Sequence, residues 1–239
     1  MRIALLSDVH SNIDALETCL RDANQRGATR FAFLGDHIGY GAAPAAVVET
    51  IAEHARRGAI VVKGNHDLEQ PSDAEDALEW TLERLSAQQK EFLRSLPLTA
   101  KEESMFFVHS SAGAPLRWKY IEDATAARQS IEASGATYVF SGHVHVQVLY
   151  FLTQTGKIAS FHPISGSAVP VPSHRRWQAI VGSVGQPRDG NPAAAYALFD
   201  SEKEEITFFR VAYDHMRAAR RIREAGLPES LALRIENGR

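Results

Sequence analysis

The sequence predicts an α/β fold: two mixed β-sheets packed as a sandwich and flanked by helices. Three observations predict it. Apolar runs and amphipathic stretches alternate from Ile3 to Val62 as strand, helix, strand, helix, strand, the order that builds a parallel sheet. From Val146 to Val211 the pattern turns to short β runs separated by turn residues. The chain has 239 residues, 44% hydrophobic and 23% charged, an ordinary soluble globular balance with enough length for a sizeable core.

Ile3 to Leu6 reads as a short strand ending in Ser7-Asp8-Val9-His10. Ser11 or Asn12 then caps a helix whose apolar positions Ile13, Leu16, Cys19 and Leu20 recur at helical spacing, and Gly27 closes it. Phe31 to Leu34 is the second strand and ends in Gly35-Asp36; a helix from Pro44 to Arg57 follows the loop Gly39-Tyr40-Gly41. Ala59 to Val62 is the third strand and ends in Gly64-Asn65-His66-Asp67. Residues 68 to 96 are acidic and amphipathic and predict two or more covering helices without chemistry. Leu98 to Met105 predicts a hairpin into the strand Met105 to Val108, which ends in His109. A helix is expected from Ile121 to Ser134, then a strand Thr137 to Phe140 ending in Ser141-Gly142-His143-Val144-His145. Strands follow at Val146 to Leu152, Lys157 to Phe161, Trp177 to Val181, Ala193 to Phe199 and Glu205 to Val211. A last helix runs from Asp214 to Ala225, with a short tail after Pro228. No repeat or low-complexity linker divides the chain, so one domain is expected over 1–239, with its helical covering segment near 68–96.

The formal net charge of −3 carries no overall basicity to recruit nucleic acid. Cys19 is the single cysteine, so no disulfide forms within the chain and a reducing compartment fits. The first apolar run is too short for a signal peptide and no run approaches a membrane span, which predicts a cytoplasmic protein. A homo-oligomer is left open.

Five separate strands end in metal-ligand chemistry: Asp8-Val9-His10, Gly35-Asp36, Gly64-Asn65-His66-Asp67, His109 and Gly142-His143-Val144-His145. Ligands of open α/β sheets gather at such carboxyl ends. Asp8, His10, Asp36, Asn65, His109, His143 and His145 are the candidate metal ligands. Two ions would have to share a carboxylate, and Asp36, on the middle strand of the unit, is the natural bridge. Imidazole and oxygen donors without thiolate suit Mn, Fe, Zn, Co or Ni more than Ca or Mg. Two such ions about 4 Å apart clamp a phosphoryl group.

This ordered set resembles that of the calcineurin-like metallophosphoesterases. Gly39-Tyr40-Gly41 and the segment Gly182 to Gly190 are similar to the small YfcE-like phosphodiesterase branch of that family. The resemblance implies the metallo-dependent phosphatase αββα fold and two metal sites, Asp8, His10, Asp36 and His145 for one ion, and Asp36, Asn65, His109 and His143 for the other. It implies hydrolysis of small phosphodiesters by attack of a metal-bridging hydroxide on phosphorus. His66 and Asp67 would be catalytic, with His66 protonating the leaving group or stabilising transition-state charge, and Asp67 hydrogen-bonding His66. A phosphomonoesterase, a nucleotidase or a protein phosphatase would use the same site. A catalytically silent scaffold of this fold would lack ligands or the His66 equivalent, and this chain has them all.

The chain departs from the family pattern twice. Gly35-Asp36-His37-Ile38-Gly39 lacks the second acid common in the phosphatases, and Ser110 stands where glycine is frequent. His37 reads as a supporting or surface residue. Arg188, between two glycines, is a candidate for binding substrate phosphate or a structural arginine. Trp118 reads as a packed aromatic, and His174-Arg175-Arg176 and the arginines 217, 220, 221 and 223 as solvated charge.

Overall fold

The computed structural model describes residues 1–68 and 75–239. The chain opens with β1 (Arg2–Leu6), α1 (Ile13–Gln25), β2 (Arg30–Leu34), α2 (Pro44–Arg56) and β3 (Ile60–Val62). Asn12 caps α1, its side-chain oxygen accepting from the Ala15 N–H at 3.2 Å. Two covering helices follow, α3 (Glu75–Glu83) and α4 (Ala87–Ser95). Residues 69–74 of the expected covering segment lie outside the described residues. The hairpin β4 (Thr99–Glu102) and β5 (Met105–Val108) leads through α5 (Ala124–Ser134) to β6 (Tyr138–Ser141). The later strands are β7 (Gln147–Leu152), β8 (Ile158–Phe161), β9 (Ala168–Pro170), β10 (Arg176–Val181), β11 (Ala194–Asp200) and β12 (Glu205–Val211). The chain closes with α6 (His215–Glu224) and α7 (Glu229–Asn237).

Two six-stranded mixed sheets form, in the orders β3-β2-β1-β11-β12-β9 and β4-β5-β6-β10-β7-β8. The predicted fold class is therefore the observed one. β1, β2 and β3 pair in parallel, as do β5, β6 and β10. Ile3, Leu5, Leu34, Phe199 and Phe208 of the first sheet face Phe107, Tyr138, Phe140 and Trp177 of the second across a buried core. Phe199 is 1% exposed and packs 4.7 Å from the Tyr138 ring and 5.2 Å from that of Phe140. Phe199→Ala therefore leaves a cavity between the sheets. The expected loss is about 3–5 kcal/mol in urea unfolding, and a loss under about 1 kcal/mol would contradict this packing.

Helices α1 and α2 cover the outer face of the first sheet, and Cys19 is fully buried there. Burial pushes the Cys19 thiol well above its usual range. We expect no reaction with Ellman's reagent in the folded protein and one equivalent after unfolding in guanidinium; a native-state equivalent would contradict the burial.

Three elements differ from expectation. Helix α5 starts at Ala124, not Ile121, because the Asp123 side chain caps it at the Ala126 N–H, 2.8 Å away. The edge strand β9 was not expected; it forms by pairing with β12, Val169 opposite Ile206. The tail after Pro228 is a helix, α7, whose Leu231, Ala232 and Ile235 pack on Ala218, Ala219 and Ile222 of α6. Among the described residues no helix is long and apolar enough to cross a membrane.

Candidate active site

The carboxyl ends of β1, β2 and β3 from one sheet and of β5 and β6 from the other open onto one edge of the sandwich. Asp8, His10, Asp36, His109, His143 and His145 meet there, all buried. Reaching that point bends the backbone. Asp8 (φ 53°), His10 (48°), Asp36 (53°), His143 (67°) and His145 (63°) all lie in the left-handed region. Such conformations cost roughly 1–3 kcal/mol each outside glycine and are held only where the surroundings over-determine them. Main-chain bonds do so here: the Asp8 N–H donates to the Gly35 carbonyl and the His10 N–H to that of Asp36, both at 3.0 Å.

Gly64 and Gly142 have a steric reason. A Cβ on Gly64 would collide with the Asp36 carboxylate and backbone, and one on Gly142 with Ser7 and the Asp8 carboxylate. Gly64→Ala is expected to lower metal content and thermal stability together. A variant with full metal content and an unchanged melting temperature would show that the Asp36 turn can relax.

Each of four imidazoles has one nitrogen on a main-chain carbonyl. His10 Nδ1 donates to Ile38 (3.1 Å), His109 Nδ1 to Leu34 (2.8 Å), His143 Nε2 to Trp118 (2.8 Å) and His145 Nδ1 to Gln186 (2.6 Å). A carbonyl only accepts, so these nitrogens carry the protons and in the neutral rings the other four are lone pairs. Those lone pairs face one another: His10 Nε2 lies 3.3 Å from His145 Nε2, and His109 Nε2 3.0 Å from His143 Nδ1. Facing lone pairs repel unless a cation lies among them.

The carboxylates repeat the arrangement. Asp8 Oδ2 accepts from the His143 N–H at 3.0 Å and Asp36 Oδ1 from the His66 N–H at 2.9 Å. The other oxygens turn inward. Asp36 Oδ2 lies 3.2 Å from His109 Nε2 and 3.7 Å from His10 Nε2, within reach of both halves of the cluster. Asp8 Oδ1 is 3.1 Å from His145 Nε2 yet accepts no aligned hydrogen bond, and Asn65 Oδ1 is likewise buried without a donor. Buried oxygens without donors, aimed at facing imidazole lone pairs, fit a metal ion. The sets Asp8–His10–His145, Asp36–His109–His143 and His10–Asp36–His66 each hold their ligand atoms within 4.8 Å of one another.

Burial and neighbouring charge set protonation in the cluster. Burial raises Asp8, but the imidazoles of His145 and His109 beside it outweigh that and hold the carboxyl below its usual range. Burial opposes ionisation of Asp36 too, and His109 and His66 override it. Burial drives His10 far below the usual imidazole range and His143 down to about 4, so both are neutral. For His109 burial is overcome by Asp36, and its pKa rises to about 9: beside these carboxylates Nε2 favours a positive charge, which a proton or a metal ion taking the proton's place can supply.

Asn65, His66 and Asp67 form a 3₁₀ turn directly after β3. The His66 ring stands edge-on to His10, centroids 5.0 Å apart. The expected bond between Asp67 and His66 is absent among the described residues. Asp67 Oδ2 instead accepts from the Gly64 N–H at 2.8 Å, and Oδ1 from the N–H groups of His37 (2.8 Å) and Ile38 (3.3 Å). The 3₁₀ turn sends the carboxylate back along its own entry, so Asp67 clamps the β2 and β3 loops together. His37 is fully buried rather than on the surface, and its Nε2 donates to the Val62 carbonyl at 3.0 Å.

Arg188 lies at the site. Its N–H donates to the His145 carbonyl at 3.3 Å and its guanidinium to Gln186 Oε1 at 3.0 Å. Ser110 is buried and donates to the Pro115 carbonyl. Four of the other arginines are held elsewhere: Arg217 and Arg221 pair with Asp14, Arg223 with Glu229 and Glu236, and Arg175 covers the Phe151 ring. Sequence reasoning missed the orienting carbonyls of Leu34, Ile38, Trp118 and Gln186, because a main-chain acceptor has no residue signature. It also missed Ser183, whose hydroxyl donates to the Asp8 carbonyl at 2.8 Å, while Tyr120, in the segment 117–120 that could line the entrance, stacks its exposed ring on His143 at 4.1 Å.

Comparison with known proteins agrees with this geometry. Residues 1–204 match the calcineurin-like phosphoesterase superfamily domain. The chain is 31% identical over 255 aligned positions to uncharacterized protein MJ0912 of Methanocaldococcus jannaschii, covering 99% of this chain and 98% of that one. A metallophosphoesterase from Sphaerobacter thermophilus superposes with a TM-score of 0.89 at 36% identity over 100% of both chains. Hypothetical protein PH1004 from Pyrococcus horikoshii shares the fold, with a TM-score of 0.79 at 20% identity over 100% of this chain and 98% of that one. With its ligand-bearing strand ends inside the matched region, this chain belongs to the calcineurin-like phosphoesterase superfamily.

Proposed function

We propose that this protein is a dinuclear metal-dependent phosphoesterase acting on small phosphodiesters. The facing imidazole lone pairs, with the donor-free Asp8 and Asn65 oxygens beside them, carry the reading. Asp8, His10, Asp36 and His145 would hold one ion, and Asp36, Asn65, His109 and His143 the other, with Asp36 shared. Bound there, the ions supply Lewis acidity toward the phosphoryl oxygens and acidify water at neutral pH.

The chain's own residues do the rest. The main-chain carbonyls on four imidazoles hold each ring in the tautomer that points a lone pair inward. His66, edge-on to His10 and within reach of Asp36, would hand a proton to the leaving oxygen or stabilise the charge that develops there. Asp67 keeps the His66 turn against the Asp36 turn through main-chain N–H groups. The missing second acid after Asp36 and the likeness of Gly39–Gly41 and Gly182–Gly190 to YfcE-like phosphodiesterases favour diesters over protein phosphatase substrates.

The test is a screen of metal-stripped protein reconstituted separately with Mn and Ni, on cyclic nucleotides, linear diesters and monoesters. EDTA treatment is expected to remove activity and Mn or Ni to restore it, with diesters turned over fastest. Monoesters outrunning diesters would replace the diester reading, and activity that survives stripping would remove the metal reading.

A further inference from the structure

Tyr40 stands beside the cluster in left-handed backbone, φ 59°, between Gly39 and Gly41. Its ring centroid is 4.6 Å from those of both His10 and His66. Two arginines from distant parts of the chain reach this ring. Arg188 comes from the loop after β10, and its guanidinium reaches the Tyr40 hydroxyl. Arg234 comes from α7, with its guanidinium carbon 5.9 Å from the Tyr40 ring centre.

Both arginines are positioned. The Gly190 N–H donates to the Gly238 carbonyl at 2.8 Å, joining the Arg188 loop to the end of the Arg234 helix. The helix pair α6–α7 is tied to the body by Arg217 on Asp14 and by Trp80 Nε1, which donates to the Ala225 carbonyl at 3.1 Å. Neutralisation differs sharply along this face. Arg210 pairs with Asp189, Arg217 and Arg221 with Asp14, and Arg223 with Glu229 and Glu236. Among the described residues no carboxylate pairs with Arg188 or Arg234. Two guanidinium groups without a carboxylate partner, both reaching one tyrosine next to the candidate phosphoester site, form a fork for a second anion. Arg234 also lies beyond residue 204, where the family match ends, so this contact belongs to a part of the chain the family domain does not supply.

We infer that Arg188 and Arg234 form a second anion-binding point beside the catalytic cluster, and that the substrate is a phosphoester carrying a further phosphate that is not itself cleaved. The inference rests on the phosphoesterase reading for the ester, and on the arginine pair alone for the second phosphate.

A matched pair of esters tests it: thymidine 5′-(p-nitrophenyl phosphate) and the same compound phosphorylated at the 3′ oxygen. The Mn-loaded protein is expected to prefer the second through a lower KM. In R234Q and R188Q that preference falls by about 10- to 100-fold, the range of a hydrogen bond to a charged group. The loss appears in KM and is partly restored in R234K. A wild-type protein without the preference, or an R234Q variant that keeps it, overturns the inference.

Calorimetry separates the two readings. Pyrophosphate is expected to bind at least about tenfold tighter than inorganic phosphate, and R234Q to lose that advantage. If neither ester is cleaved the phosphoesterase reading fails, while the pyrophosphate titration still decides the anion point; equal affinities in wild type and R234Q reject it.

Discussion

His66→Ala is expected to keep its metal and lose about 10²- to 10⁴-fold in kcat, the span of general acid–base catalysis by a placed imidazole. The metal survives because His10, Asp36 and Asp8 take their places from strand ends and main-chain bonds that do not involve the His66 ring. Only the His66 N–H supports Asp36, and alanine retains that group. The size of the loss distinguishes proton donation from charge stabilisation. A p-nitrophenolate leaves without a proton, whereas an alkoxide needs one, so a proton donor is missed far more with alkyl esters than with p-nitrophenyl esters. Equal losses on both would assign His66 to charge stabilisation. A variant that loses ions as well, measured by elemental analysis, would make His66 a ligand, as its reach to His10 and Asp36 allows. Unchanged activity would remove it from the mechanism.

Asp36→Asn is expected to lose at least one ion per chain and more than about 100-fold in activity, since even changes to the outer partners of metal ligands reduce affinity or activity 10- to 100-fold. Asp36 Oδ2 approaches His10 at 3.7 Å and His109 at 3.2 Å, nearer than Asp8 Oδ1 at 3.8 and 4.0 Å, while Asp36 Oδ1 accepts from the His66 N–H. An amide oxygen can replace one of these acceptors. Its NH₂ group then meets either the His66 N–H or the inward lone pairs with a hydrogen where an acceptor is needed. The charge that makes a cation favourable beside His109 is also gone. Full metal occupancy in this variant would contradict the shared role of Asp36. Asp8→Asn is the useful comparison: it leaves the Asp36 position intact, so a loss confined to one ion there and a larger loss at Asp36 would identify the shared carboxylate.

Much of the site was legible because it is written in side chains at strand ends. Asp8, His10, Asp36, His109, His143 and His145 could be picked out by residue type and position, and they converge. Asp67 shows where that kind of reading stops. Its place next to His66 suggested a side-chain partner, yet the 3₁₀ turn directs both oxygens onto main-chain N–H groups. Helix α7 and strand β9 were not legible for a related reason. Each is stabilised by a distant neighbour, α6 and β12, more than by its own periodicity.

The sequence alone determined the α/β class, the parallel start of the first sheet and the set of donors, because hydrophobic periodicity and donor chemistry are local properties. Only the tertiary structure decided which oxygens are left without donors, which imidazole nitrogen faces inward, and that Arg188 and Arg234 both reach Tyr40. Those facts depend on left-handed turns held by bonds between separate strands and on a helix closing against a loop, contacts that local sequence pattern does not encode.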